Sequence, residues 1–259
     1  MLERVRRPVS PEGPGAWTLK LIHQHCTEFA DLKSLSGVWR RLRRLDISWK
    51  EGRIHLTSPD PEFKEKLAAI RAVRDAAAQA PEQIRVLYGD EASYYRLPHR
   101  GRTWGTRGSG GGAQPTTPHK AGANTRRRMV AALDVHDGQV LSDSASVIGV
   151  KALCRFLRKI RRHYGAQVRL VLIWDNWPPH YHAEVLRVAA AERIELLYTP
   201  TYSPWCNPIE KLWKKLRHDV LRLHQKSAAW KELRGAVERF LQDLVRANPD
   251  LLRYVGLAA

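Results

Sequence analysis

Only three cysteines, Cys26, Cys154 and Cys206, occur in 259 residues, too few and too scattered for a disulfide framework or a zinc site. Reduced thiols, as in a cytosolic protein, are the expectation. His23-x-His25-Cys26 lacks the further ligands that a metal cluster of that kind needs. Long apolar runs are missing too: none approaches the roughly 20 residues of a spanning helix, and MLERVRR is not followed by the apolar stretch of a signal peptide. The expected location is therefore the cytoplasm, with no membrane partner and no small-molecule cofactor. Acidic residues are scarce, 26 Asp+Glu against 44 Lys+Arg, for a formal net charge of +18. An excess of that size repels itself and attracts polyanions, so nucleic acid is the expected partner and the nucleoid the expected neighbourhood.

A chain of this length can bury one sizeable core and a small second domain. Residues 1–16, rich in Arg, Pro and Gly, are expected to be disordered. A helix is expected from Trp17 to about Phe29 and a turn over Ala30 to Lys33. SLSGVWRRLRRL then sets Leu35, Val38, Leu42 and Leu45 on one stripe and Arg40, Arg41, Arg43 and Arg44 mostly on the other. Two short helices with a tight turn, the second rich in arginine, read as a small all-α helix-turn-helix domain over 17–58 whose second helix approaches DNA. The alternative is a merely solvated basic face. ISWKEGRIHL, turning at Glu51-Gly52, suits a small β wing. Residues 59–81 carry a helix with Leu67, Ile70 and Val73 on its apolar stripe, read as a linker.

From residue 82 the pattern becomes α/β. Ile84 to Tyr88 reads as a strand with Asp90-Glu91 behind it. Gly108 to Asn124 is expected to be a mobile loop. Met129 to Asp134 and a return strand from Val140 flank the Asp137-Gly138 hairpin signal, with Asp134 and Asp143 assigned to turns and strand ends. Lys151 to Tyr164 is an amphipathic helix. Val168 to Trp174 reads as a buried parallel strand that delivers Asp175 to its carboxyl edge, where open α/β sheets bind ligands. After a helix from Pro179 to about Glu192, Ile194 to Tyr198 leads to a helix that starts with Asn207 as cap, Pro208 at its first position and Glu210 third. Taken alone, Asn207-x-x-Glu210 is also a capping box, in which the glutamate only serves a backbone amide. Glu210, Lys214 and Arg217, however, share the face beside the Ile209, Leu212, Trp213, Leu216 stripe. A carboxylate among cations suits a site for metal and phosphate. A last helix, about Ala228 to Ala247, closes the chain.

PTYSPWCNPIEKLWKKLR, Asp175-Asn176-x-x-x-His180 and Gly101-Arg102-Thr103-Trp104-Gly105-x-Arg107-Gly108 resemble the signatures of the DDE transposases of the mariner superfamily, in the bacterial insertion-sequence branch numbered six-thirty. Thirty-four residues, 176 to 209, lie between Asp175 and Glu210, the spacing for which the superfamily is named. The resemblance covers the chain from about residue 17 onward and implies a ribonuclease-H-like catalytic domain over 82–259, which the order of expected elements also suggests. It implies that Asp90, Asp175 and Glu210 bind two Mg²⁺ or Mn²⁺ ions, roughly 3.5 to 4 Å apart in such sites, with Asp90 between them. It further implies cleavage of element ends, transfer of the freed 3′ ends to target DNA, and action as a homodimer on double-stranded DNA. Asn176, His180 and Asn207 are the supporting candidates, although His180 also suits packing at a helix start. Arg40, Arg41, Arg43, Arg44, Arg102, Trp104, Arg107, Lys211, Lys214, Lys215 and Arg217 are the DNA-contact candidates. A ribonuclease-H-like nuclease that only hydrolyses, and an inactive DNA-binding remnant, are the alternatives. The remnant is considered because the family usually carries two helix-turn-helix modules and only one fits before Asp90.

Overall fold

The computed structural model describes residues 17–49, 57–104, 115–118 and 125–258. The expected disorder of 1–16, most of the expected wing, Arg107 and nearly all of the Gly108 to Asn124 loop lie outside the described residues. The chain divides into two units, Met1–His55 and Leu56–Ala259.

In the small unit, α1 (Leu19–His25) is capped by the Thr18 hydroxyl and runs into a 3-10 turn, Thr27–Phe29. Then α2 (Leu35–Arg44) is capped by the Ser34 hydroxyl. Trp17, Ile22, Cys26, Phe29, Val38 and Leu42 form its core. Of the expected stripe only Val38 and Leu42 are buried, while Leu35 and Leu45 are 44% and 50% exposed.

The large unit is built on a five-stranded sheet of order β3-β2-β1-β4-β5. Its strands are β1 (Ile84–Tyr95), β2 (Arg126–Asp134), β3 (Val140–Ala145), β4 (Arg169–Trp174) and β5 (Ile194–Tyr198). The first three are antiparallel neighbours, and β4 and β5 join in parallel. Strand alternation divides the core in two. Val86, Tyr88, Ala131, Leu133, Val171 and Ile173 face one layer, and Leu87, Val130, Ala132, Leu170, Leu172 and Trp174 face the other. The first layer holds α3 (Phe63–Gln79), α6 (Ile209–Leu216), α7 (Trp230–Gln242) and α8 (Pro249–Val255). The second holds α4 (Val150–Tyr164) and α5 (Ala183–Ala191). This is the ribonuclease-H-like arrangement, a mixed sheet between helices.

Two expectations on element bounds are corrected. The helix read as a linker over 59–81 belongs to the large unit, because α3 sets Ile70 and Ala77 into the first core layer. The expected last helix is shorter, α7 ending at Gln242, and a further helix, α8, follows it, with Asn248 as cap and Pro249 at its first position.

Asp60 ties the start of α3 to the loop that precedes α6. Its carboxylate accepts the Thr201 amide at 2.7 Å, the Glu62 amide at 2.9 Å and the Lys66 ammonium at 2.9 Å. These donors, the Thr201 amide foremost, lower its pKa from 3.8 to about 2. The unfolded chain takes up the proton first as pH falls, so this stabilisation is complete above pH 3.8 and disappears as pH drops through about 2. Asp60→Asn should accordingly lower the melting temperature of the large unit at neutral pH, and the gap to wild type should close between pH 4 and pH 2. Parallel melts across that range check it; a gap independent of pH would refute the assignment.

Candidate active site

In β1, Asp90 continues the alternation of Val86 and Tyr88 and so faces the α6 layer, whereas Glu91 faces the other. Asp90 lies within the strand and not beyond its end, contrary to a strand stopping at Tyr88. The β1–β4 pairing ends at Tyr88 and Ile173, and past it β1 pairs with β2 alone. Asp175 leaves the sheet directly after β4. Asp90 therefore stands where the two parallel strands part.

Asp90 is 9% exposed, and its Oδ2 accepts the Trp213 indole N–H at 2.7 Å. Burial, and next the charge of Glu210, push its pKa up to about 7 against the pull of that indole. Asp90 lines two adjoining depressions, one shared with Glu210, Trp213 and Arg217, the other with Asp175, Trp177 and Arg128. Partial desolvation of the Glu210 carboxyl in the depression raises it as well; Arg217 opposes this and Asp175 adds to it. Each of the three carboxylates is thus electrostatically coupled to at least one of the others.

Asp175 is held differently. Its Oδ1 accepts the Trp177 amide at 3.1 Å and faces His180 Nδ1 at 3.0 Å. Burial acts to raise its pKa, but His180 and the amide outweigh it, and the carboxyl lies below its ordinary value. His180 is fully buried, and its Nε2 meets Glu91 Oε1 at 3.1 Å. Burial disfavours its charge, yet the two carboxylates prevail and raise its pKa to about 9. An imidazolium so enclosed does not face DNA. Its ring stacks on Trp174 at 4.1 Å with 2° between planes. Trp174 in turn lies against Gly89, where a Cβ would meet its Nε1 at 2.3 Å. Gly89→Ala should cost about 1–3 kcal/mol of stability by displacing the indole and should weaken the His180 stack; thermal melts with indole fluorescence report both, and an unchanged melt would refute the close fit.

The loop before α6 does not form the expected capping box. Asn207 Oδ1 reaches the Ile209 amide at 3.4 Å and its Nδ2 donates to Gly89 O at 3.1 Å, which binds the loop to β1 beside Asp90. The Asn207 amide, which a capping glutamate would take, donates instead to Pro204 O at 3.0 Å. Glu210 is exposed at the head of α6. Asn176 bridges Thr199 O and the Tyr181 hydroxyl, each at 2.6 Å, and so braces the two loops.

The basic candidates separate into two kinds. Arg41 makes a two-point pair with Asp31, both contacts 2.7 Å, and donates to Glu28 O at 2.7 Å. Lys211 donates to Val255 O at 2.8 Å, and Lys215 pairs with Asp219 at 2.7 Å. These three are engaged within the protein. Arg40, Arg43, Arg44, Arg102, Trp104, Lys214 and Arg217 are exposed, Trp104 at 99%. Arg43 lies over the Trp39 ring at 5.1 Å. Sequence reasoning missed Glu91 and the Trp213 bond to Asp90. Alternation along β1 puts Glu91 on the Trp174 side, but nothing local pairs it with His180.

The sheet order, with acidic side chains where its central strands part, is that of a ribonuclease-H-like nuclease domain. The chain belongs to the DDE superfamily endonuclease family, whose model matches residues 85–234. A curated relative, the insertion element IS630 uncharacterized 39 kDa protein of Shigella sonnei, is 28% identical over 229 residues. That match covers 87% of this chain, which spans 64% of the relative's length. Two solved structures share the fold. The Mos1 mariner paired end complex with Mn matches with a TM-score of 0.65 at 17% identity, over 93% of this chain and 71% of that one. The Mos1 transposase paired-end complex with left transposon end matches at 0.60 and 16%, over 93% and 74%. Among the described residues no helix is long and apolar enough to cross a membrane.

Proposed function

We propose that this chain is the transposase of an insertion sequence, which binds element ends, cleaves their phosphodiester bonds and joins the 3′ ends to target DNA. The observation that carries this reading is the coupling of Asp90 to Glu210 and of Glu210 to Asp175 around the point where β1 and β4 part. Three hard oxygen donors, of which Glu210 pushes up Asp90 and Asp175 pushes up Glu210, fit a divalent cation, which would relieve that repulsion. Asp90, Asp175 and Glu210 would hold Mg²⁺ or Mn²⁺, two ions on the superfamily's pattern, which when bound would supply charge stabilisation to the attacking and leaving oxygens.

The protein's own groups do the rest. Trp213 fixes one oxygen of Asp90, Asn207 holds the Glu210 loop against β1, and His180 with the Trp177 amide orients Asp175. Arg217 and Lys214 stand beside Glu210 to receive phosphate. A water oxygen attacks phosphorus, the bond from phosphorus to the 3′ oxygen breaks, and that oxygen leaves as a hydroxyl after taking a proton. In joining, the freed 3′-hydroxyl attacks a target phosphorus in the same way. The exposed arginines of α2 are the reading's contacts to double-stranded DNA, and two copies would hold two ends. The proposal extends to the domain roles: a DNA-binding unit followed by the nuclease.

The test is incubation of the protein with duplexes that carry the inverted repeats flanking its gene, in Mg²⁺ or Mn²⁺. Cut ends together with joined products are expected. Cut ends without joining would leave a nuclease that only hydrolyses, and neither product would leave a DNA-binding remnant.

A further inference from the structure

We propose that Glu91 is a positioning residue of this site, acting through His180 to aim the carboxylate of Asp175. The inference rests on the reading of Asp175 as a metal ligand given above. Glu91 follows Asp90 on the other face of β1 and lines the same two depressions, but its carboxylate oxygen is engaged by His180. His180 is held on four sides. Nε2 faces Glu91 Oε1 at 3.1 Å, and Nδ1 faces both Asp175 Oδ1 at 3.0 Å and Asp175 O at 3.1 Å. One ring face stacks on Trp174, and Trp177 packs edge-on with ring centres 5.4 Å apart.

The ligand-type atoms of Glu91, Asp175 and His180 all lie within 4.8 Å of one another, so a cation held by these three is the competing account. The engagement of the ring argues against it. Both nitrogens already face carboxylate oxygens, Nε2 at 3.1 Å and Nδ1 at 3.0 Å, so a cation held by the ring would have to break at least one of these contacts. The geometry is that of a clamp: Glu91 stops the ring from sliding along Trp174, and the ring stops Asp175 from rotating away from the site. Supporting hydrogen bonds of this kind typically change metal affinity by about 10–100-fold when removed.

Glu91→Ala frees Nε2, whereas Glu91→Gln keeps an oxygen that can accept from it. The readouts are Mn²⁺ binding by calorimetry on the full chain, the Mn²⁺ concentration that half-saturates nicking, thermal melts, and the imidazole ¹H–¹⁵N resonances of His180 in metal-free protein. Glu91→Ala should weaken Mn²⁺ binding about 10–100-fold, raise the half-saturating concentration to match and recover much of its rate at high Mn²⁺. Glu91→Gln should stay within about threefold of wild type on the same scale. Unchanged Mn²⁺ affinity in Glu91→Ala overturns the proposal. So does a Glu91→Gln variant as damaged as Asp175→Asn, because Glu91 would then be a ligand itself. If wild type and Asp175→Asn bind Mn²⁺ alike, the metal reading has failed on its own, and the clamp is judged from the metal-free protein: His180 resonances that do not move in Glu91→Ala overturn it there.

Discussion

Glu210→Gln is expected to cut metal-dependent nicking of end DNA by about a thousandfold, with DNA affinity and melting temperature nearly unchanged. Each factor of ten corresponds to about 1.4 kcal/mol of lost transition-state stabilisation, and a charged oxygen donor beside the leaving group accounts for several kcal/mol. A capping role predicts the opposite, because Gln serves equally well at that position of a capping box and a whole cap contributes only about 1 kcal/mol. The geometry speaks against the cap, since the amide that a capping glutamate would bind is taken by Pro204 O, and Glu210 lines a depression with Asp90. Asp90→Asn and Asp175→Asn should show losses of the same order, since each removes one charged oxygen donor of the proposed site. Single-turnover nicking of the four proteins, with melts alongside, decides the matter. Near-normal nicking by Glu210→Gln would leave a two-carboxylate site and sink the transposase reading.

Affinity for duplex DNA should fall by roughly 10³–10⁵ between 50 and 200 mM salt if six to ten phosphates are contacted, because each contact releases a counterion. The structure sharpens which cations matter. Removing the charge of Arg40, Arg43, Arg44, Lys214 or Arg217 should each flatten the logarithmic salt slope by about 0.9. Arg41, Lys211 and Lys215 should leave the slope nearly unaltered, because their donors are held by Asp31, Val255 O and Asp219. Arg41→Gln should instead loosen the small unit, whose turn it ties to α2 through Asp31 and Glu28 O. Fluorescence titrations at several salt concentrations read both effects. A flat salt dependence in wild type would refute electrostatic binding, and a full slope change in Arg41→Gln would refute the division between engaged and exposed cations.

Much of the nuclease unit is written locally. The apolar run from Leu170 to Trp174 reads as a buried strand, and Asp175-Asn176 ahead of two prolines reads as its end. The Ile209, Leu212, Trp213, Leu216 stripe places Glu210 on the neighbouring face wherever α6 docks. These signals arise between residues a few positions apart, so the chain carries them before it folds. Register and docking decide the rest. Trp213 meets Asp90 across 123 positions, Asn207 meets Gly89 across 118 and His180 meets Glu91 across 89. No periodicity encodes these distances. The arrival of α8 likewise gives Lys211 its partner, the Val255 carbonyl. The sequence alone marked out the strands and helix faces, and with them the three carboxylates proposed as ligands, because local sterics and apolar alternation depend on near neighbours. Only the tertiary structure set Glu91 against His180 and gave Arg41, Lys211 and Lys215 partners within the protein, because hydrogen-bond partners are chosen by packing between segments remote along the chain.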